Sequence, residues 1–289
     1  MTNSYRNLVE EYAQLYRRGT ELPLGNLPTA TSPNPSAKGP VGLIFSPHPD
    51  DEGIIGGGPL RLQREAGWQI KNVAVTLGSN RPRRSERLAE LRGACAYLGF
   101  GLIVPDEKGW DHVTAVGRTQ AAPEWASKVA AIVDILRTEK PAALFYPHAD
   151  DWNGTHIGTH WLVMDAVRQV GADWVGYLVE TEYWGQMARP NLMVEISPEQ
   201  LSDQVAGVSF HVGEVRRNPF HLRLPAWMQD NVRRGSELVG GQGGAAPHFD
   251  FATLYRVQAW RGGQVEPVLP SGRSVSISEP IGAIFPQLS

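Results

Sequence analysis

Cysteine is nearly missing from this 289-residue chain, where Cys95 stands alone. One thiol builds neither a disulfide within the chain nor a thiolate zinc site, so any metal must rest on histidine and carboxylate. Charge imbalance is missing too. Against 27 Lys and Arg stand 30 Asp and Glu, a formal net charge of -3, and 42% of the residues are apolar. That balance fits an ordinary soluble globular protein and speaks against a nucleic-acid scaffold or a disordered chain. Long hydrophobic runs are absent as well: nothing approaches the ~18 apolar residues of a membrane span, and MTNSYRNLVEEYAQLYRRG lacks the apolar stretch of a secretion signal. The default expectation is a cytoplasmic protein without nucleic-acid or membrane partners, with a homo-oligomer left open.

What is present is an alternation. Tyr5, Leu8, Val9, Tyr12, Leu15 and Tyr16 recur at helical spacing, and LPLGNLPTATSPNPSAKGP follows, too rich in Pro, Ser and Gly for regular structure. Residues 1–40 are therefore expected to form a leading helix and an arm, and 41–289 a single α/β domain. From Val41 the runs VGLIFS, VAVTL, GLIV and AALFYP alternate with segments of helical period, the pattern of βαβ units. The expected fold is a Rossmann-like three-layer α/β fold with a mainly parallel sheet. Leu88, Leu91, Cys95 and Leu98 form one helical stripe, closed by Gly99, which makes Cys95 a core residue. Trp125, Val129, Ile132, Val133 and Leu136 form another, stopped by Pro141. Beyond Val175 strands are expected in WVGYLVETEYW and NLMVEIS, a short helix at Ser197-Pro198, and a glycine-rich GGQGG before HFDFATLYRVQAW.

VGLIFS empties directly into His48, Pro49, Asp50, Asp51 and Glu52. Helix capping needs one acid, so three in a row exceed it and call for a cation. Ligands of open parallel sheets gather where strands end. A His and an Asp three residues apart in a loop can converge on one ion, and a hydrolytic zinc usually takes a third ligand from elsewhere. AALFYP ends in the other dense cluster of candidates, PHADDWNGTHIGTH from Pro147 to His160. Two strand ends point to one composite site.

The stretch PHPDDE, Pro47 to Glu52, resembles the signature of the PIG-L/LmbE-like zinc-dependent N-deacetylases, which act on N-acetylglucosaminyl lipids and related amino-sugar conjugates. RLAEL at Arg87 to Leu91 and NGTHIGTH at Asn153 to His160 are similar to two further segments of that family. The resemblance implies a zinc cofactor held by His48, Asp51 and His156, with Asp50 as the general base. It also implies a small-molecule amino-sugar or acylated-amine substrate, contacted by Arg87. Asn153 stands where the family usually has a histidine that stabilises the oxyanion. Asn donates a hydrogen bond but cannot deliver a proton, so either the amide and zinc suffice or His148, His160, His211, His221 or His248 supplies the acid. Two rivals share the residues: an amidase or esterase for a non-sugar substrate, and a zinc protein that has lost catalysis.

Other residues have plainer expected roles. Glu52 bonds backbone N–H groups or an Arg; Arg87 has an ion pair with Glu90 as its alternative. His160 is expected as a buried hydrogen-bonded histidine, and Asp150 and Asp151 as capping or loop-bonding groups. Gly56, Gly57 and Gly58 lack the Lys and Ser or Thr that follow a phosphate loop, so they pack helix on sheet. Arg81 to Arg84 is expected as a solvated charge run, or else as the mouth of the site. Tyr183 and Trp184 are offered for stacking on a sugar ring, with core packing as the equal competitor. GGQGG is either a lid or a surface loop.

Overall fold

The computed structural model describes residues 3–28 and 39–288, so the central part of the expected arm, 29–38, lies outside the described residues. The leading stripe folds as α1 (Arg6–Gly19), with no residue buried. It rests on Phe220–Arg223, where the Arg223 guanidinium lies 3.7 Å from the Tyr16 ring centroid.

β1 (Val41–Ser46) is apolar along nearly its whole length, and all but its first residue are buried, as a strand covered on both faces requires. After it come α2 (Asp51–Ile54), α3 (Gly57–Ala66), β2 (Gln69–Ala74), α4 (Arg84–Leu98), β3 (Gly101–Ile103), α5 (Ala115–Gln120) and α6 (Ala122–Glu139). β4 (Ala143–Pro147), α7 (Gly154–Val170) and β5 (Gly176–Thr181) complete the parallel part. The remainder is β6 (Leu192–Ile196), α8 (Pro198–Ser209), α9 (Val212–Arg217), α10 (Leu224–Leu238), β7 (Phe251–Arg261), β8 (Gln264–Pro267) and β9 (Arg273–Val275).

Sheet order is β3-β2-β1-β4-β5-β7-β6-β9, with β8 paired to β7. β1 to β5 pair in parallel, β7 runs antiparallel to β5, β6 and β8, and β6 and β9 are parallel. Because β1 pairs with both β2 and β4, the strand order reverses at it, and the crevice beyond the ends of β1 and β4 is the switch point of the sheet.

Alternation along β1 sends Leu43 and Phe45 to one face and Ile44 to the other. The first face packs under α6 and α7, through Ile132 and Val163 among others. The second packs under α3, α4 and α8, and includes Cys95, 2% exposed. Helix, sheet and helix make three layers. Gly57 is needed where α3 meets the sheet, since a Cβ there would lie 2.1 Å from Ile196 Cδ1. The glycine run is packing, as its sequence implied.

Pairing in β2 begins and ends earlier than VAVTL suggests. Val75 and Thr76 still donate to the carbonyls of Ser46 and Pro47, and so tie the next loop to the end of β1. The helix at Ser197-Pro198 is α8, opened by a reciprocal cap between Ser197 and Gln200. α9, α10, β8 and β9 had no counterpart in the sequence reading. Among the described residues no helix is long and apolar enough to cross a membrane.

Candidate active site

Pro47 to Asp50 turn the chain from β1 into α2. The His48 N–H donates to Asp51 Oδ2 at 2.9 Å, which folds the two side chains to one side of the loop, and His48 Nδ1 lies 3.4 Å from the same oxygen. From the neighbouring strand end, α7 brings His156 Nε2 to 3.4 Å from Asp51 Oδ2 and 3.3 Å from His48 Nδ1. One potential ligand atom from each residue lies within 4.8 Å of the others. Asp51 Oδ1 is buried with no hydrogen-bond partner. Leaving such an oxygen unanswered is costly, and a cation answers it. Two imidazoles and one carboxylate, with the cleft side open, fit a catalytic zinc.

Asp151 completes the arrangement. Its Oδ2 lies 3.2 Å from His156 Nδ1 and accepts the Gly185 N–H, while its Oδ1 accepts the Asn153 N–H. The expected loop-bonding role holds, but the same carboxylate also orients the His156 ring, the kind of contact found behind most metal-bound histidines. Asp150, next to it, is exposed. Burial alone would push His156 down; Asp51 and Asp151 overcome it and hold the imidazole up at about 10. Asp51 moves the opposite way: against the upward push of burial, His156 and His48 depress its carboxyl below the usual range.

Asp50 is not in the cluster. Its φ of 116° is costly for any residue but glycine, and strain of this kind persists only where neighbours impose it. Glu52 imposes it here, with Oε2 accepting the Asp50 N–H at 3.0 Å and Oε1 lying 2.6 Å from His211 Nε2, both side chains fully buried. Backbone bonding by Glu52 was expected; its side-chain partner is a histidine from the far end of the chain, not an arginine. Burial first, then Asp51, raises the Asp50 carboxyl well above the ordinary range, although His211 and Arg87 oppose the shift.

Arg87 does not pair with Glu90, which accepts the Gly213 N–H instead. Its guanidinium turns to the β1 loop, donating to the Pro49 carbonyl at 2.8 Å and lying 3.7 Å from Asp50 Oδ2. The run at Arg81 to Arg84 is solvated at one end only: Arg81 is exposed, Arg83 half-buried and Arg84 buried. Arg84 is buried, donates to the carbonyls of Gly78 and Lys108 and pairs with Asp111; Arg81 also pairs with Asp111, and Arg83 with Glu214 at 2.7 Å. These arginines brace the mouth with their charges already partnered.

A cleft of about 1140 Å³ opens over the cluster, with His48, Asp50, Arg87, Asn153 and Trp184 among its walls. Asn153 caps α7, its Oδ1 accepting the Thr155 N–H at 2.9 Å, which leaves the amide NH₂ as its free donor. Trp184 is 39% exposed and meets Phe220 edge-on at 5.2 Å. Tyr183 is only 5% exposed, its ring edge-on to His156 at 5.0 Å, so core packing displaces the stacking role offered for it. GGQGG, Gly240 to Gly244, does not line the cleft and is a surface loop.

None of the five histidines offered as an alternative acid lines the cleft. His148 bonds the Gly185 carbonyl, His211 bonds Glu52, and His221 is buried. His160 bonds the Pro147 carbonyl at the end of β4, and burial lowers it to about 4. His248 is exposed elsewhere. The histidine that does reach the cleft besides His48 is His112, in a GWDHVT loop that carries no pattern a sequence reader would stop at.

Residues 43–167 match the model of the PIG-L family, described as GlcNAc-PI de-N-acetylase. No curated protein matches the chain. Among solved structures it is similar to N,N'-diacetylchitobiose deacetylase from Pyrococcus horikoshii, at 15% identity and a TM-score of 0.54 over 89% of this chain and 94% of that one. It is also similar to the zinc-inhibited form of a teicoplanin deacetylase (15% identity, TM-score 0.56, 76% and 98% covered). A third likeness is 4-carboxy-2-hydroxymuconate hydratase from Pseudomonas putida KT2440 (15% identity, TM-score 0.56, 75% and 95% covered). At such identities the likeness is one of fold.

Proposed function

We propose that this chain, similar to the PIG-L family through residues 43–167, is a zinc-dependent hydrolase that removes an N-acetyl group from an amino-sugar-containing substrate. The observation that carries the reading is Asp50: a buried carboxylate outside the His48, Asp51, His156 cluster and on the cleft wall beside it. An inert metal site has no use for such a group, whereas amide hydrolysis needs a base that is not itself a ligand. Zinc held by the three residues would polarise the acyl carbonyl and acidify water.

The protein's own groups do the rest. Asp50 accepts the proton that water loses as its oxygen bonds to the acyl carbon. The Asn153 amide donates to the carbonyl oxygen as that oxygen gains charge. Arg87, bonded to the Pro49 carbonyl, keeps the base at its station, and the exposed face of Trp184 suits the apolar side of a pyranose.

Acetate release from N-acetylglucosamine, N,N'-diacetylchitobiose and an aryl N-acetylglucosaminide by zinc-loaded protein tests this. Turnover should stop with a chelator, and Asp50→Asn should keep the metal while losing ~10²–10⁴-fold in rate. Hydrolysis of simple amides or esters alone would favour the non-sugar amidase or esterase. Full metal with no hydrolysis of any kind would leave a zinc-binding protein.

A further inference from the structure

His112 lies in the loop between β3 and α5, exposed, at φ 58°. A histidine in the left-handed region is uncommon and costs free energy that the surroundings must offset. Two helices hold it there. At Gly117 of α5 a Cβ would stand 1.9 Å from the His112 carbonyl oxygen, and at Gly158 of α7 one would stand 2.2 Å from the Val113 carbonyl oxygen and 2.5 Å from the Thr114 nitrogen. Any residue but glycine at either point would push the loop away. Gly158 is two residues from His156 and five from Asn153, so the loop is clamped onto the turn of helix that carries both. His112 lines the same cleft as Asp50 and Asn153.

Of the chain's eight histidines, His48 and His156 belong to the metal cluster and the other five outside this loop do not reach the cleft. We infer that His112 is the catalytic proton donor to the leaving amine, the role Asn153 cannot fill. The inference rests on the deacetylase reading. In that step the C–N bond breaks, its electron pair leaves with nitrogen, and nitrogen takes a proton from a ring N–H of His112. Asp50 holds the proton taken from water, the acyl carbon keeps the water's oxygen, and exchange with solvent returns His112 and Asp50 to their starting states. One amide and one water give one amine and one acetic acid. An imidazole is suited to this because one ring nitrogen can donate a proton and take one back.

The backbone supplies a clean variant. Glycine at φ 58° carries no strain, so His112→Gly should fold at least as stably as the parent and keep its zinc. On the three N-acetylated substrates, kcat should fall by ~10²–10⁴, KM should change little, and added imidazole should restore part of the rate. His112→Asn, which tolerates the same backbone and donates hydrogen bonds but no proton, should be as slow as the glycine variant. Near-parental kcat in either variant, or a change confined to KM, overturns the proton-donor role while leaving the deacetylase reading intact. Absence of acetate release by the parent protein itself overturns that reading and this inference with it.

Discussion

The chain up to Thr181 and the chain beyond it share one sheet but contribute to the site in different currencies. The first part is a run of parallel strands, and it places all three residues of the proposed metal site at the ends of two adjacent strands, His48 and Asp51 after β1 and His156 after β4. The second part extends that sheet through β7, antiparallel to β5, and returns to the site with supports. His211 stands behind Glu52, Glu214 pairs with Arg83, and Trp184 and Phe220 form part of the cleft wall. The family match ends at residue 167, yet the fold likeness to the chitobiose deacetylase spans 89% of the chain. Architecture can be shared across a region that the family match does not reach. Chemistry in this fold sits where the backbone pattern puts it, and its support comes from wherever the chain happens to pack.

The comparison breaks most visibly at His156. His156→Ala removes one of three ligands and leaves Asp51 and Asp151 buried and facing a void, so zinc should fall far below one equivalent after dialysis, and turnover with it. Elemental analysis checks it. Stoichiometric zinc in the variant would mean that the strand ends do not hold the metal by themselves, and the division between the two parts of the chain would fail.

Asn153 offers a finer cut. Its oxygen caps α7 while its amide is the proposed oxyanion donor, and Asn153→Asp separates the two, because a carboxylate still accepts the Thr155 N–H but has nothing to donate. Thermal stability should hold while kcat drops ~10²–10³, the usual loss for one oxyanion donor. A variant with unchanged kcat would reduce Asn153 to a cap.

How much of this the sequence discloses depends on distance along the chain. His48, Asp50 and Asp51 lie within four residues at the end of an apolar run, so local pattern finds them, and β1 to β4 follow from the alternation of apolar runs with helical segments. Asp151 lies five residues before His156; its loop-bonding role was legible, but its contact with the His156 ring was not, because that depends on how α7 starts. His211 and His112 have no local mark. One meets Glu52 across 159 positions, and the other is defined by glycines in two different helices. Arg87 shows the reverse failure: a carboxylate at helical spacing invites an ion pair, and packing against the β1 loop wins instead. α1 keeps its predicted helical stripe yet buries none of it, since periodicity reports the helix and not what covers it.

The smallest effect on turnover is expected at His211, and it is the sharpest test of a purely supporting role. His211→Gln keeps a donor toward Glu52, and Glu52 keeps its hold on the Asp50 N–H, so kcat should change only a few-fold. Stability should respond more, because a charge-assisted bond becomes a neutral one; such bonds are worth about 1–3 kcal/mol. The pH dependence has a definite sign. Burial would push His211 down, but Glu52 and then Asp50 raise it above the ordinary 6.5. A raised folded value means that the stabilisation is complete below pH 6.5 and disappears as pH climbs through the folded value. In urea titrations of zinc-loaded protein, the parent should therefore lead the variant most below pH 6.5 and lose that lead as pH rises through the folded value. A difference that stays flat over this interval would make the pair a neutral hydrogen bond. A large fall in kcat at constant stability would move His211 out of the supporting part and into the chemistry, and the contrast between the two parts of the chain would have to be redrawn around it.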